Sequence, residues 1–227
     1  SGERYFKSRK PVTFDALVDF LALDKDNPSS IYSCLRWARE NAHSVRWQIT
    51  SEMWETLNTT WLEMKAVRKA DLAGAGAAKF FDWVKDRSHL YRGVTYGTIM
   101  RGEAYNFSRL GTFLERADNT ARILDVKYHV LLPSVKDVGG ALDYYQWTAL
   151  LRSVSSFETY RALYRDQIYP IKVAQLLILE PRMPRSLAAC FEQITQAMER
   201  LQGQHDRAAR RLAGDIRVRL THADIAE

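Results

Sequence analysis

Residues 109 to 128, R-L-G-T-F-L-E-R-A-D-N-T-A-R-I-L-D-V-K-Y, hold the densest set of groups able to do chemistry. Glu115 can transfer a proton or bind an amine, Asn119 can fix an amide, and Arg116 and Arg122 can fork onto a carboxylate or phosphate. At 100° per residue Glu115, Asn119 and Arg122 fall on one side of a helix, with Arg116 alone on one flank and Asp118 and Asp125 on the other. The opposite side carries Leu110, Leu114, Ala117, Ala121, Leu124 and Tyr128 at the spacing of a core stripe. Ile123 and Val126 interrupt the polar side, so apolar groups run nearly all round. That predicts a central helix with Glu115 and Arg122 buried and paired to Arg39, Glu40 or Arg46, since a buried charge must find a partner. The opposing reading is a solvated face, to which the acid-first Asp118 and Arg122 pair adds a few tenths of a kcal/mol at most.

A second helix repeats the pattern. Ile31, Leu35, Ala38, Ala42, Val45 and Ile49 form a stripe of the same spacing, with small residues that let helix axes approach. Its polar groups Arg39, Glu40, Asn41 and Arg46 present the same acid, amide and guanidinium chemistry, so both helices are candidates to line one carboxylate- or phosphate-binding cleft. Metal chemistry has weaker support. Glu40 and His43 form a single E-x-x-H pair where a helical di-iron site needs two plus further carboxylates, and Asp125 with His129 adds only an acid and a His one turn apart. No metal and no cofactor are implied.

L-E-R-A-D-N-T-A-R-I-L-D-V resembles the signature of the alpha-E domain, a bacterial all-helical domain with a Glu-Arg motif. V-D-F-L-A-L-D-K-D-N-P-S-S-I at 18 to 31, A-R-E-N-A-H-S-V-R at 38 to 46, W-E-T-L-N at 54 to 58, Q-W-T-A-L-L-R-S at 146 to 153 and M-P-R-S-L at 183 to 187 are similar to the same pattern, so the likeness covers nearly the whole chain. The resemblance implies an upstream copy of the Glu-Arg helix and a further last helix, and on that basis the chain is expected to be truncated at both ends. It also implies a role beside an ATP-grasp-type ligase or a transglutaminase-like protein, in amide or peptide bond formation or peptide modification.

An internal repeat is legible without that likeness. F-L-A-L-D-K-D-N-P-S-S-I-Y-S-C at 20 to 34 aligns without a gap on L-L-I-L-E-P-R-M-P-R-S-L-A-A-C at 176 to 190, pairing Pro28 with Pro184 and Cys34 with Cys190 at an offset of 156. Each Pro is expected at a helix's first position, with Asn27 as the first cap. A counterpart of the Glu-Arg helix one period earlier would fall before Ser1. These features predict an all-α helical bundle of two pseudo-symmetric repeats, about 13 to 70 and 141 to 221, around a Glu-Arg helix at 103 to 132, as one domain over 1–227. Periodicity and turn residues place helices at 13 to 23, 28 to 49, 52 to 70, 77 to 90, 93 to 101, 103 to 132, 141 to 164, 168 to 179, 184 to 204 and 206 to 221.

Composition fits a packed helical body, with 46% hydrophobic residues, 6 Pro and 11 Gly. Loop-like stretches are short: A-G-A-G-A-A at 73 to 78 and K-D-V-G-G at 136 to 140. Cys34 and Cys190 read as small buried hydrophobes. With no signal-like or membrane-spanning apolar run, a cytoplasmic location is expected. The net charge of +6 is partly local, since eight Arg against four acids lie between Arg182 and Arg219. The region lacks interleaved aromatics and any nucleic-acid motif, so an acidic partner or substrate is the expectation there.

Three readings of function follow. In the first, a helical accessory binds a peptide or amino-acid substrate for the ligase through Arg116, Asn119, Arg122, Arg39, Glu40, Asn41 and Arg46. In the second, an enzyme uses Glu115 as the catalytic acid or base in an Arg-lined cavity. The third is a purely structural subunit. The oligomeric state is not legible.

Overall fold

The computed structural model describes residues 12–129, 140–165, 167–201 and 207–225, and these are helical throughout their regular structure. They divide into two compact units, residues 1–100 and 101–227. Unit 1 holds α1 (Phe14–Ala22), α2 (Ile31–Ser44), α3 (Ser51–Ala66) and α4 (Ala75–Thr98), with short 3-10 turns at Arg46–Gln48 and Lys69–Leu72. Unit 2 holds α5 (Glu103–His129), α6 (Ala141–Ser153), α7 (Phe157–Tyr164), α8 (Pro170–Ala174) running into a π turn at Gln175–Leu179, α9 (Leu187–Arg200) and α10 (Arg207–His222).

The expected helix starts at Pro28 and Pro184 are corrected by capping. Ser30 and Ser186 are the N-caps, their hydroxyls accepting from Ser33 N at 3.1 Å and Ala189 N at 3.0 Å, which satisfies an amide that the helix leaves orphaned. Each Pro lies in the turn before its cap. Asn27 ties that turn down instead, its Nδ2 donating to Phe20 O at 2.9 Å. The stretch expected to be two helices at 77 to 90 and 93 to 101 is the single α4, and Gly93 sits inside it. In the first turn of α4, Gly76 is required, because a Cβ there would collide with Asp71 O. The expected helix at 141 to 164 breaks into α6 and α7, where Ser155 takes a left-handed φ of 54°. The end of the helix expected at 103 to 132 and most of the break at 136 to 140 lie outside the described residues.

The 156-residue offset extends well beyond the aligned segment. α2 and α9 have bounds 156 apart at both ends, and so do α3 and α10. The turn hydrogen bonds repeat as well. Ser30 Oγ donates to Asp24 O and Ser186 Oγ to Glu180 O, each at 2.6 Å, while Asp24 N and Glu180 N donate to Asp19 O and Gln175 O at 3.0 and 3.1 Å. Two Ser residues buried at equivalent sites therefore build one turn twice.

The unit 1 core gathers Val18, Ala22, Trp61, Met64, Leu72, Ala77 and Phe80. The unit 2 core gathers Leu124, Trp147, Leu150, Leu151, Tyr160, Val173, Leu176 and Leu177. Beside the latter, Lys127 is buried to 1% exposure and donates from Nζ to Asp143 Oδ1 at 2.5 Å and Gln146 Oε1 at 2.8 Å. Asp143, 4% exposed, lies in the first turn of α6, where the helix dipole favours a carboxylate. The Trp147 ring faces the ammonium at 4.9 Å. This pair locks the end of α5 to the start of α6. Lys127→Met orphans a buried carboxylate and is expected to destabilise unit 2 by about 3–5 kcal/mol in urea unfolding, with most of the loss recovered when Asp143→Leu is added.

Candidate functional site

α5 seats itself on α9 by a polar seam rather than by its apolar stripe. Tyr105, Asn106, Ala117, Thr120, Leu124 and Lys127 are its buried positions, a line turned roughly 70° from the stripe at 100° per residue. Arg116 Nη1 donates to Pro184 O at 3.0 Å, Thr120 Oγ1 to Arg185 O at 2.9 Å, and Arg109 to the Gln193 side chain. Ascending α5 thus meets descending α9, so the two run antiparallel. These bonds set the rotation. Leu114 and Tyr128 are exposed as a result, where the stripe predicted them buried.

The same rotation moves most of the expected site. Glu115, Asn119 and Arg122 lie opposite the seam and are exposed, which overturns the expectation that Glu115 and Arg122 are buried. Arg122, 73% exposed, pairs along its own helix with Asp118 at 2.6 Å, and that contact raises its pKa. Arg116 is close enough to the seam to be half-buried, stacking on Phe113 at 4.9 Å.

A cleft of about 530 Å³ opens beside Arg116, entirely within unit 2. Its walls come from α5, the Leu179 to Pro184 turn, α9 and α10, with Phe113, Leu179, Pro184 and Leu220 supplying apolar surface. Three guanidiniums line it, from Arg116, Arg182 and Arg217, against one carboxylate, Glu192. Arg217 Nη1 meets Glu192 Oε2 at 3.3 Å, while its Nε is buried without a hydrogen-bond partner. Such an orphaned donor is costly unless something fills it. Arg182 is held by both oxygens of Glu180, at 2.7 and 3.1 Å, and the guanidinium keeps that carboxyl below its ordinary range. Cys190 is buried, which pushes its thiol up.

At the equivalent positions of unit 1 the side chains differ and pack together. Ala188 corresponds to Tyr32 and Arg217 to Trp61, and Tyr32 and Trp61 pack edge to face with centroids 5.0 Å apart. Leu220 corresponds to Met64, fully buried in that core. Two aromatic rings in one copy are thus replaced by a methyl and a guanidinium in the other. The sequence analysis missed Ala188, Glu192 and Arg217 as site residues, although its alignment already pairs Ala188 with Tyr32 and, continued past Cys190, pairs Arg217 with Trp61.

The other expected site residues belong to unit 1 and line no part of this cleft. Arg39 donates to Asn58 Oδ1 at 3.3 Å and Glu40 Oε1 at 2.7 Å, and Arg39 and Arg46 both lie over Trp54, at 5.3 and 5.7 Å. Glu40 and Asn41 are exposed. Cys34 is exposed too, unlike Cys190, which corrects half of the cysteine expectation. His43 lies 5.6 Å from Trp54, and the side chain of His129 lies outside the described residues. Among the described residues no group of three or more His, Cys, Asp or Glu could hold a metal ion, and no helix is long and apolar enough to cross a membrane.

A family model, alpha-E, described as a predicted alpha-helical domain with a conserved ER motif, matches residues 2–227. No curated protein and no solved structure matches the chain. The E-R dipeptide of α5, Glu115 and Arg116, splits between the two sides of that helix. Thr120→Val removes the hydrogen bond to the half-buried Arg185 carbonyl and is expected to cost about 0.5–1.5 kcal/mol of stability. Arg122→Leu, on the solvent side, is expected to leave the urea midpoint where it is. Equilibrium unfolding of both variants beside wild type checks the rotation of α5.

Proposed function

We propose that the chain, which belongs to the alpha-E family, is a helical accessory protein whose unit 2 cleft holds a carboxylate-bearing amino acid or peptide for an ATP-grasp-type ligase. The ligase is what the family resemblance implies. The observation that carries the binding half is the change of Tyr32 and Trp61 in one copy to Ala188 and Arg217 in the other, which trades packed core for a charged opening. Loss of packing is unfavourable for stability. Retaining it points to a use for the space.

The two units are read as diverged copies forming a pseudo-symmetric bundle, the unit 1 copy kept as scaffold. The cleft's chemistry narrows the ligand. Planar guanidiniums match a carboxylate's two oxygens, and Arg116, Arg182 and Arg217 all line the cleft. Glu192 offers an acceptor for an amine, and Phe113 with Leu220 offers apolar contact. A ligand with an acid, an amine and a modest apolar group fits these walls. Glu115 faces away from the cleft, so acid-base catalysis by that residue finds no support from this geometry.

The cleft can be closed with the protein's own alternative residue. Ala188→Tyr restores the side chain found at Tyr32 and is expected to leave the chain folded, by circular dichroism and unfolding midpoint, while abolishing saturable binding of candidate amino acids and peptides in calorimetry. Arg116→Lys keeps the charge but loses the fork, and is expected to weaken binding about tenfold or more, equal to at least about 1.4 kcal/mol. With the ligase, ATP and the same candidates, phosphate release and product mass should fall in both variants. Wild-type binding and ligation in Ala188→Tyr contradict the assignment.

A further inference from the structure

In the unit 2 cleft the guanidinium of Arg217, on α10, meets the carboxylate of Glu192, on α9, with Nη1 and Oε2 3.3 Å apart. Gln196 Nε2 donates to the other oxygen, Oε1, at 2.8 Å, which holds the carboxylate in place. Both side chains stay open to the cleft they line, at 43% and 45% exposure. The repeat sets this pair apart. At the 156-residue offset Glu192 corresponds to Arg36 and Arg217 to Trp61, so unit 1 has a cation and an indole where unit 2 has a carboxylate and a guanidinium. Arg36 lies over Trp37 at 5.0 Å, and Trp61 packs on Tyr32. Opening the space at Ala188 and placing an ion pair beside it are thus separate differences between the copies.

An ion pair this exposed adds little to stability. What it offers is a negative and a positive group about one hydrogen-bond length apart on two walls of one cleft. A ligand pairs with both at once only if its own amine and carboxylate lie equally close. In a free α-amino acid a single carbon separates them, so the head group laid antiparallel across the pair brings its carboxylate to Arg217 and its amine to Glu192 Oε2. In a linear peptide each residue between the terminal amine and the terminal carboxylate adds up to about 3.3–3.6 Å. That added length equals the whole span of the pair.

We infer that the cleft recognises a free α-amino-acid head group, with amine and carboxyl on one carbon, and discriminates against the separated ends of a linear peptide. The inference rests on the reading of this cleft as a carboxylate site and narrows it. Arg217 takes the carboxylate and Glu192 reads the amine, which makes Glu192 the specificity-determining residue. The ligand is then a free amino acid, or a peptide joined through a side chain, as in a γ-glutamyl residue, that leaves the head group intact. The cleft has room for the second, since about 530 Å³ lies within the range that holds drug-sized ligands. Phe113, Leu179 and Leu220 offer apolar contact to whatever follows the head group.

The test compares isomers by calorimetry on the full chain: γ-glutamylalanine against α-glutamylalanine, and γ-glutamylleucine against α-glutamylleucine, with free glutamate beside them. Each pair has the same atoms and formal charges, and only the γ form keeps amine and carboxyl on one carbon. The γ isomers are expected to bind about tenfold or more tightly than the α isomers, the scale of one hydrogen bond to a charged group. Free glutamate as tight as the γ isomers points to an amino acid as the ligand, and γ isomers tighter than glutamate point to the side-chain-linked peptide. Glu192→Gln keeps the size and loses the charge. It is expected to weaken γ binding about tenfold and bring the isomers level, with the unfolding midpoint unchanged, and N-acetyl-γ-glutamylalanine should bind the wild type as weakly as the α isomer does. Equal binding of the isomers to wild type, tighter α isomers, no binding by either γ isomer, or a γ preference that survives Glu192→Gln overturns the inference. Ala188→Tyr separates this from the reading beneath it. Binding that persists in Ala188→Tyr contradicts the cleft itself, whereas level isomers whose binding Ala188→Tyr abolishes contradict the head-group inference alone.

Discussion

Two backbone carbonyls at one tight turn, those of Pro184 and Arg185, determine how unit 2 is assembled. A turn between a π-bulged helix end and a capped helix start leaves carbonyl acceptors outside both helix ladders, and here side chains supply the donors. Arg116 and Thr120 do so from α5. Because those two residues lie on the flank of the apolar stripe, meeting the carbonyls rotates the helix and leaves Leu114 in solvent. The two bonds and the burial of Ala117, Thr120 and Leu124 accompany the exposure of Leu114. The same rotation sets Arg116 at the edge of a cleft and points Glu115 away from it.

The duplicated turn gives the comparison its force. Identical bonds to Ser30 and Ser186 hold the helix starts in place, so differences nearby are attributable to side chains and not to a different backbone. Where unit 1 puts Tyr32 against Trp61, unit 2 puts Ala188 opposite Arg217, and filled space becomes a charged opening. Ion pairing then decides the electrostatics: Glu180 restrains Arg182 and Glu192 meets Arg217, leaving the walls net cationic without a naked cluster. Arg rather than Lys suits such a place, since the planar fork is preorganised and weakly hydrated.

Much of this was legible in the chain. The gapless match of 20 to 34 on 176 to 190 foresaw the repeated turn, and helical periodicity placed most elements. The caps were missed because Pro at a helix's first position and Ser two residues later are both sound starts, and only the hydroxyl-to-amide bonds at Ser33 and Ala189 choose between them. The face of α5 was misjudged because apolar spacing sees side-chain burial but not which backbone acceptors take side-chain donors, and those lie 65 and 68 residues away in sequence. The split between α6 and α7 rests on a left-handed Ser155, a residue type with no strong preference for that region. Of the expected site, Arg116 belongs to the cleft, while Arg39 and Arg46 gather on Trp54 in the other unit.

The central claim is that the opening beside Arg217 exists to be filled by an anionic ligand. Side-chain NMR of arginine Nε–H groups reads it directly, by titrating the full chain with short carboxylate peptides and amino acids. The account predicts saturable shifts of the Arg217 and Arg116 resonances, while the solvent-side Arg122 stays still. Uniform shifts across all arginines, or none at Arg217 with any carboxylate ligand, would contradict it.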